Sequence, residues 1–201
     1  MNVVILLNGE PHRGEISAAD ARVICCDGAY GWAQGKVKID ELIGDFDSLA
    51  ELPEGVNVAR YPAEKDMTDG ELAIERALAL GATHIEIYGG GGGREDHFLG
   101  NVHLLYKAHK MGVKAVMFTN RSHMFISDGA CALCCKSGTT VSIVPFGGEV
   151  HIMESRGLKY PLPEAFVYGS TRGISNVVLG DGASFRCEGA VLVVVNNLEV
   201  E

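Results

Sequence analysis

The sequence predicts an α/β N-terminal half, built on an open, mostly parallel, doubly wound sheet, followed by an all-β C-terminal sandwich. Three observations lead there. Short continuous apolar runs alternate with helix-period segments over residues 1–122. Such runs mark parallel strands, because a strand covered on both faces has no side left for water. Residues 123–201 then lose the helical period and show short strand patterns between Gly- and Pro-containing turns.

The elements follow in order. Val3–Leu7 and Val23–Cys26 read as the first two strands, and Leu42–Ile43 as a third that ends in an acidic turn. Thr68–Leu80 reads as a helix, with Thr68 and Glu71 spaced as a capping box and Gly81 as its stop. His84–Tyr88 is a strand, and five glycines, Gly89 to Gly93, follow it. Asp96–Met111 is helical: Leu99, Val102, Leu105 and Tyr106 share one face and Gly112 closes it. Val113–Thr119 completes the series. In the second half the expected strands are Thr140–Pro145, Val150–Ile152, Phe166–Tyr168, Ser184–Cys187 and Ala190–Val195.

Composition narrows the function. The 201 residues are 47% apolar and 21% charged, as in an ordinary globular chain. No apolar run approaches the ~18 residues of a membrane span. The N-terminus lacks a basic stretch and reads as a strand rather than a signal peptide. A formal charge of −9 argues against a nucleic-acid partner. The cysteines read as reduced thiols of a cytoplasmic protein, and Cys131-x-x-Cys134 lacks the second pair that a zinc site needs.

Three segments concentrate acids and glycines at strand ends or helix starts, where a doubly wound, Rossmann-like sheet places its ligand crevice. In Gly44-Asp45-Phe46-Asp47-Ser48, two carboxylates two residues apart can reach one hard cation such as Mg²⁺, or simply form a solvated turn. Lys65-Asp66-Met67-Thr68-Asp69 opens a helix. Its acids suit either the helix dipole or a metal, and its lysine suits phosphate. Gly89–Gly93, with Arg94, Glu95, Asp96 and His97, strips side chains from a strand-to-helix turn and adds a guanidinium that can grip phosphate. His97 suits a ligand, a base or a cap, and Trp32 suits packing better than base stacking. Neither GxxxxGK[ST] nor GxGxxG occurs, which excludes a Walker-type NTPase and argues against a dinucleotide oxidoreductase.

Taken together and in order, these segments resemble the thiamine pyrophosphokinase family. The shared motifs are Asp27-Gly28-Ala29, Gly44 to Ser48, Lys65 to Ala73, Gly92 to His97, and Gly173-Ile174-Ser175-Asn176, with Gly157 to Leu162 like that family's C-terminal domain. The resemblance implies an ATP- and Mg²⁺-binding catalytic domain and a thiamine-binding β-sandwich in a homodimer, with acceptor sites at the subunit interface. It implies Asp45, Asp47 and Asp69 as catalytic metal-site carboxylates. Asp27, Lys65, Thr68, Gly92, Arg94, Asp96 and His97 would surround ATP and its phosphates, and Ser175 and Asn176 would lie near thiamine. The implied reaction is attack of the thiamine hydroxyl on the β-phosphorus of ATP, with AMP leaving. A pyrophosphokinase for another hydroxymethyl heterocycle, such as a pterin, and a non-catalytic ATP-binding regulatory module are the alternatives. Tyr30 and Val177 depart from the family pattern.

Overall fold

The structure, a computed structural model, describes residues 1–46, 53–62 and 66–197. The chain divides into two compact units, Met1–Asn120 and Arg121–Glu201.

The first unit holds six parallel strands in the order β6-β5-β1-β2-β3-β4. They are β1 (Asn2–Leu6), β2 (Ala21–Cys26), β3 (Glu41–Gly44), β4 (Asn57–Arg60), β5 (His84–Tyr88) and β6 (Lys114–Phe118). The apolar runs are continuous because both faces are covered: Ile5, Leu6, Ile24, Leu42, Ile43 and Ile87 are all fully buried. Val4, Leu6, Val23 and Cys25 pack on one face with Ala29 and Ala33, brought in by a 3-10 turn and the short helix α1 (Tyr30–Ala33). The alternate residues face α2 (Asp69–Ala79) and α3 (Glu95–Lys110), which bury Leu72, Ile74, Ala77, Val102 and Leu105.

Both long helices begin and end where the sequence signals them. The Thr68 hydroxyl caps α2 by accepting the Glu71 N–H at 3.2 Å, and Gly81, at φ +77°, follows its end. In α3 the buried face includes Leu104 and Ala108, whereas Leu99, expected on that face, is 60% exposed. Leu99 lies in the second turn, before α3 reaches cover.

The second unit is antiparallel and centres on one long strand, β12 (Ala183–Asn196). Strand β7 (Ser122–Leu133) runs along one edge of β12. On the other edge, β9 (Val150–Arg156) pairs with Ser184–Glu188 and β8 (Thr140–Pro145) with Val191–Val195. Two-residue strands complete it: β10 (Ala165–Phe166) on β9 and β11 (Asn176–Val177) on β8. One core cluster gathers Val141, Ile143, Val150, Phe166, Phe185, Val191 and Val193.

Two differences from the sequence reading share a cause. The expected strands Ser184–Cys187 and Ala190–Val195 are one strand, and β7 was not expected at all. Asp128-Gly129 and Glu188-Gly189 have the composition of turns. Here Gly189, at φ +95°, lies within an irregularity where the register shifts between Cys187 and Val191, and Gly129, at φ +91°, pairs with Cys187 at its edge. A bulge uses the same residue chemistry as a turn without ending the strand.

Glu41 is the buried acid of the first sheet, 3% exposed. It accepts from Arg76 Nε at 2.6 Å, Arg76 Nη2 at 3.2 Å and Arg22 Nη2 at 3.0 Å. Burial alone would raise its pKa, but Arg76 and then Arg22 outweigh burial and hold it below the ordinary value. A depressed folded pKa adds stability above the unfolded pKa, and that stability is lost as pH falls through the folded one. Glu41→Gln should therefore cost about 2 kcal/mol at pH 7. That is below the ~3–5 kcal/mol of a fully buried pair, because the guanidinium groups stay partly exposed. Urea titrations should show the gap from the parent narrowing below about pH 4.

Candidate functional site

Strand order reverses between β1 and β5, since β2–β4 continue to one side and β6 lies on the other. At such a reversal the loops leaving the carboxyl ends diverge and open a crevice. A cavity of about 420 Å³ lies here. The ends of β1, β2 and β3 supply Asn8, Asp27 and Asp45 to it. The start of α2 supplies Thr68, Asp69 and Gly70, the turn into α3 supplies Gly92 and Arg94, and the first two turns of α3 supply His97 and Asn101.

Asp27 ties the strand ends together. Its Oδ1 accepts the Gly28 N–H at 2.5 Å and its Oδ2 accepts the Phe46 N–H at 2.9 Å. Gly44 makes room for this carboxylate, because a Cβ there would stand 2.4 Å from Asp27 Cγ. The Phe46 backbone is left-handed, at φ +64°, a conformation that costs a non-glycine residue about 1–2 kcal/mol. Its buried ring and the bond to Asp27 hold it there, with the Arg60 guanidinium 5.4 Å from the ring centre. The turn thus has a fixed shape, and Asp45 reaches the cavity from it.

The pKa of Asp27 is raised, first by burial; its two backbone bonds oppose this, and the charges of Asp69 and Asp45 add to it. Three carboxylates therefore repel one another around a single cavity. Mg²⁺ commonly takes one or two carboxylates and completes its shell with substrate phosphates and water. Among the described residues no three His, Cys, Asp or Glu side chains close a metal site by themselves. The donor set fits a cation shared with a bound polyphosphate.

The glycine run is more than a bare phosphate loop. Gly9 N–H donates to Gly89 O at 2.7 Å and Glu10 N–H to Gly91 O at 2.6 Å, so the loops after β1 and β5 continue the pairing of those strands. A Cβ at Gly89 would lie 2.3 Å from Leu7 O, and one at Gly90 would lie 2.3 Å from Met117 Sδ. Gly89 to Gly91 thus permit close packing, and only Gly92 of the run lines the cavity. Trp32 packs beside them and donates Nε1–H to Leu7 O at 3.2 Å. The Asn101 side chain fastens the turn to α3, donating to Gly90 O at 2.9 Å.

Arg94 stands just before α3 and is held by Asp96 through Nε–Oδ1 at 3.1 Å and Nη2–Oδ2 at 2.6 Å. Asp96 also accepts the His97 N–H at 2.9 Å. This pair raises the Arg94 pKa and lowers that of Asp96. Asp96 does not line the cavity; it orients the guanidinium that does.

The cavity brings together Asp27, Asp45, Thr68, Asp69, Gly92, Arg94 and His97 from the expected set. Asp47 and Lys65 lie outside the described residues. Ser175 and Asn176 belong to the second unit. There Asn176 is buried: its Oδ1 accepts the Tyr160 N–H at 3.1 Å and its Nδ2 donates to Tyr160 O at 2.6 Å. Ser175 is left-handed at φ +56° and donates its N–H to Ser142 Oγ. Tyr30 packs against the core of the first unit. Asn8 and Asn101 were not expected. Asn8 directly follows a strand, the signal that marked the acid turn, whereas an asparagine within a helical pattern carries none.

The chain matches two family models: thiamin pyrophosphokinase, catalytic domain, over residues 15–117, and thiamin pyrophosphokinase, vitamin B1 binding domain, over residues 131–192. It is 34% identical over 169 residues to a thiamine pyrophosphokinase of Bacillus subtilis, covering 79% of this chain and 78% of that protein. The crystal structure of a Bacillus subtilis thiamine pyrophosphokinase superposes with a TM-score of 0.87 at 28% identity, over 99% of this chain and 100% of the other. That of a Geobacillus thermodenitrificans thiamin pyrophosphokinase gives 0.81 at 26% identity, over 100% and 99%.

The Asp27 contacts generate a test. Asp27→Ala leaves the buried Phe46 N–H without its acceptor, and Gly44→Ala drives a methyl group into the carboxylate. Each should lower stability by about 1–3 kcal/mol, read as a fall in the urea midpoint at unchanged m-value.

Proposed function

We infer the function from one premise: the chain belongs to the thiamine pyrophosphokinase family. It is an ATP:thiamine diphosphotransferase, moving the diphosphate of ATP to the thiamine hydroxyl to give thiamine diphosphate and AMP. The observation that carries this reading is the convergence of Asp27, Asp45, Thr68, Asp69 and Arg94 on one cavity at the carboxyl edge of a parallel sheet.

Diphosphate transfer asks the protein mainly for positioning and charge compensation. Arg94, oriented by Asp96, grips the phosphate chain with the N–H groups that Asp96 leaves open. The Thr68 hydroxyl and the N-terminus of α2 add donors on the same side. Asp45 and Asp69, with Asp47, would hold Mg²⁺, which would supply neutralisation of phosphate charge and polarisation of the bond to be broken. The thiamine hydroxyl attacks the β-phosphorus, AMP departs, and a cavity carboxylate takes the hydroxyl proton.

We assign thiamine to the second unit, read as a β-sandwich, and ATP to the first, read as a Rossmann-like doubly wound layer, with the domains at 1–122 and 123–201. Ser175 and Asn176 serve the acceptor side. Asn176 acts by fixing the loop, since its amide is spent on the Tyr160 backbone. Tyr160, Val167, Tyr168, Ile174 and Leu179, each about half exposed, come from the loops around this motif and support a homodimer with the acceptor site at its interface. The cysteines form no disulfide among the described residues, which supports a cytoplasmic setting. No helix of the described residues is long and apolar enough to cross a membrane.

The purified protein with ATP, Mg²⁺ and thiamine should yield AMP and thiamine diphosphate in equal amounts on chromatography. ADP with thiamine monophosphate would mean attack at the terminal phosphorus instead. Asp47→Asn and Arg94→Lys should each lower kcat at least ~10²-fold while the protein stays folded, the scale of losing one electrostatic stabiliser. Near-normal turnover by either variant removes that residue from the mechanism.

A further inference from the structure

We propose that Cys131 and Cys187 form a redox modification site across β7 and β12, which a small-molecule disulfide closes into a cross-strand disulfide. The pair lies in the second unit and owes nothing to the reaction assigned above. The spacing Cys131-x-x-Cys134 is itself undone by strand geometry. Side chains alternate along β7, so Leu133 is buried and Cys134, just beyond the strand, is exposed. Cys131 shares the face of Leu133. It packs on the core cluster of the second unit, to which Cys187 belongs.

The ladder supplies Cys131 with a different partner. Gly129 pairs with Cys187 and Cys131 with Phe185, so the two cysteines are diagonal neighbours on one face. Cys187 Sγ lies 3.7 Å from Gly129 O, within reach of a weak S–H donor. The Cys131 thiol is hydrogen-bonded to the Ser127 side chain. A fully extended strand would hold residues four apart at about 13 Å. β7 therefore bends at Gly129, whose φ is +91°, and the Cys131 thiol turns back toward the residue that Cys187 touches. A Cβ built at Gly129 meets nothing within 4 Å, which leaves room for the sulfurs to approach. Cys187 is also where the pairing of β12 is loosest. Its register shifts on the β7 side between Cys187 and Val191, and on the β9 side between Arg186 and Cys187.

The exchange balances. Cys131, the less buried of the two, attacks one sulfur of the small disulfide as a thiolate. A mixed disulfide forms and one small thiolate leaves. Cys187 then attacks Cys131 Sγ, and the second small thiolate leaves. Two protein thiols are oxidised, the reagent is reduced to two thiols, and the two protein protons go to them. Burial raises the pKa of both cysteines, against the Ser127 bond at Cys131 and the Gly129 bond at Cys187. Thiolate is therefore scarce near neutral pH, and the exchange speeds up as pH rises. A reducing compartment keeps the pair open.

The test exposes the folded protein to oxidised glutathione, blocks the remaining thiols at acid pH and maps linked peptides by mass spectrometry. The expected product joins Cys131 to Cys187, forms faster at about pH 9 than at about pH 7, and reopens with a dithiol reductant. It survives Cys134→Ser. In Cys187→Ala, Cys131 should stop at the mixed disulfide with glutathione. Cys131→Ser, at a less buried position, should give no link, and it serves where a Cys187 variant fails to fold. A link from Cys131 to Cys134 or Cys135 overturns the pair. So do mixed disulfides alone in the parent, or a Cys131–Cys187 link that forms only after unfolding in urea.

Discussion

The site depends on one buried carboxylate. Asp27 leaves the end of β2 and accepts backbone N–H groups from its own turn and from the turn that follows β3. These two bonds fix the spacing of neighbouring strand ends and hold Phe46 in a left-handed conformation that it would otherwise leave. They also hold an acid in a place where its charge is disfavoured, and the facing charges of Asp69 and Asp45 deepen that cost. The arrangement concentrates electrostatic repulsion around the cavity, which a cation bound there would relieve.

Close backbone packing completes the frame. The loops after β1 and β5 continue to pair beyond the strands, and Gly9, Gly89 and Gly90 permit this because no side chain fits between them. With that floor rigid, the turn into α3 has one path, and Arg94 leaves it at a fixed point under the control of Asp96. The glycine run therefore works first as packing and only at Gly92 as a lining of the site. Arg94 comes from the turn into α3 and the acids from the ends of β2 and β3 and the start of α2, so both signs of charge meet in one cavity.

Much of this was legible in the sequence where a local signal and its structural role coincide. Thr68, Glu71 and Gly81 bound α2 because capping chemistry is local. Asp45, Asp69 and Arg94 stood out because acids and glycines gather at strand ends and helix starts. The resemblance marked Asp27 only as a neighbour of ATP; its bonds to Gly28 and Phe46 needed coordinates, since one aspartate after a strand has no pattern of its own. The Asp96 contact to Arg94 and the Asn101 bond to Gly90 needed coordinates, because each depends on a side-chain direction rather than a spacing. In the second unit, Gly129 and Gly189 mimicked turns within long strands, and the composition of a bulge cannot be told from that of a turn.

Carboxylates and a polyphosphate repel each other, so a divalent cation that both complete is what would bring ATP into this cavity. Mn²⁺ paramagnetic resonance, titrating free ion against protein, ATP, and the two together, measures this. Mn²⁺ should bind weakly to the protein alone, more tightly to protein and ATP together than to ATP alone, and should lose that excess in Asp45→Asn and Asp69→Asn. Mn²⁺ bound equally tightly without ATP, or ATP bound equally tightly without any divalent ion, would contradict it.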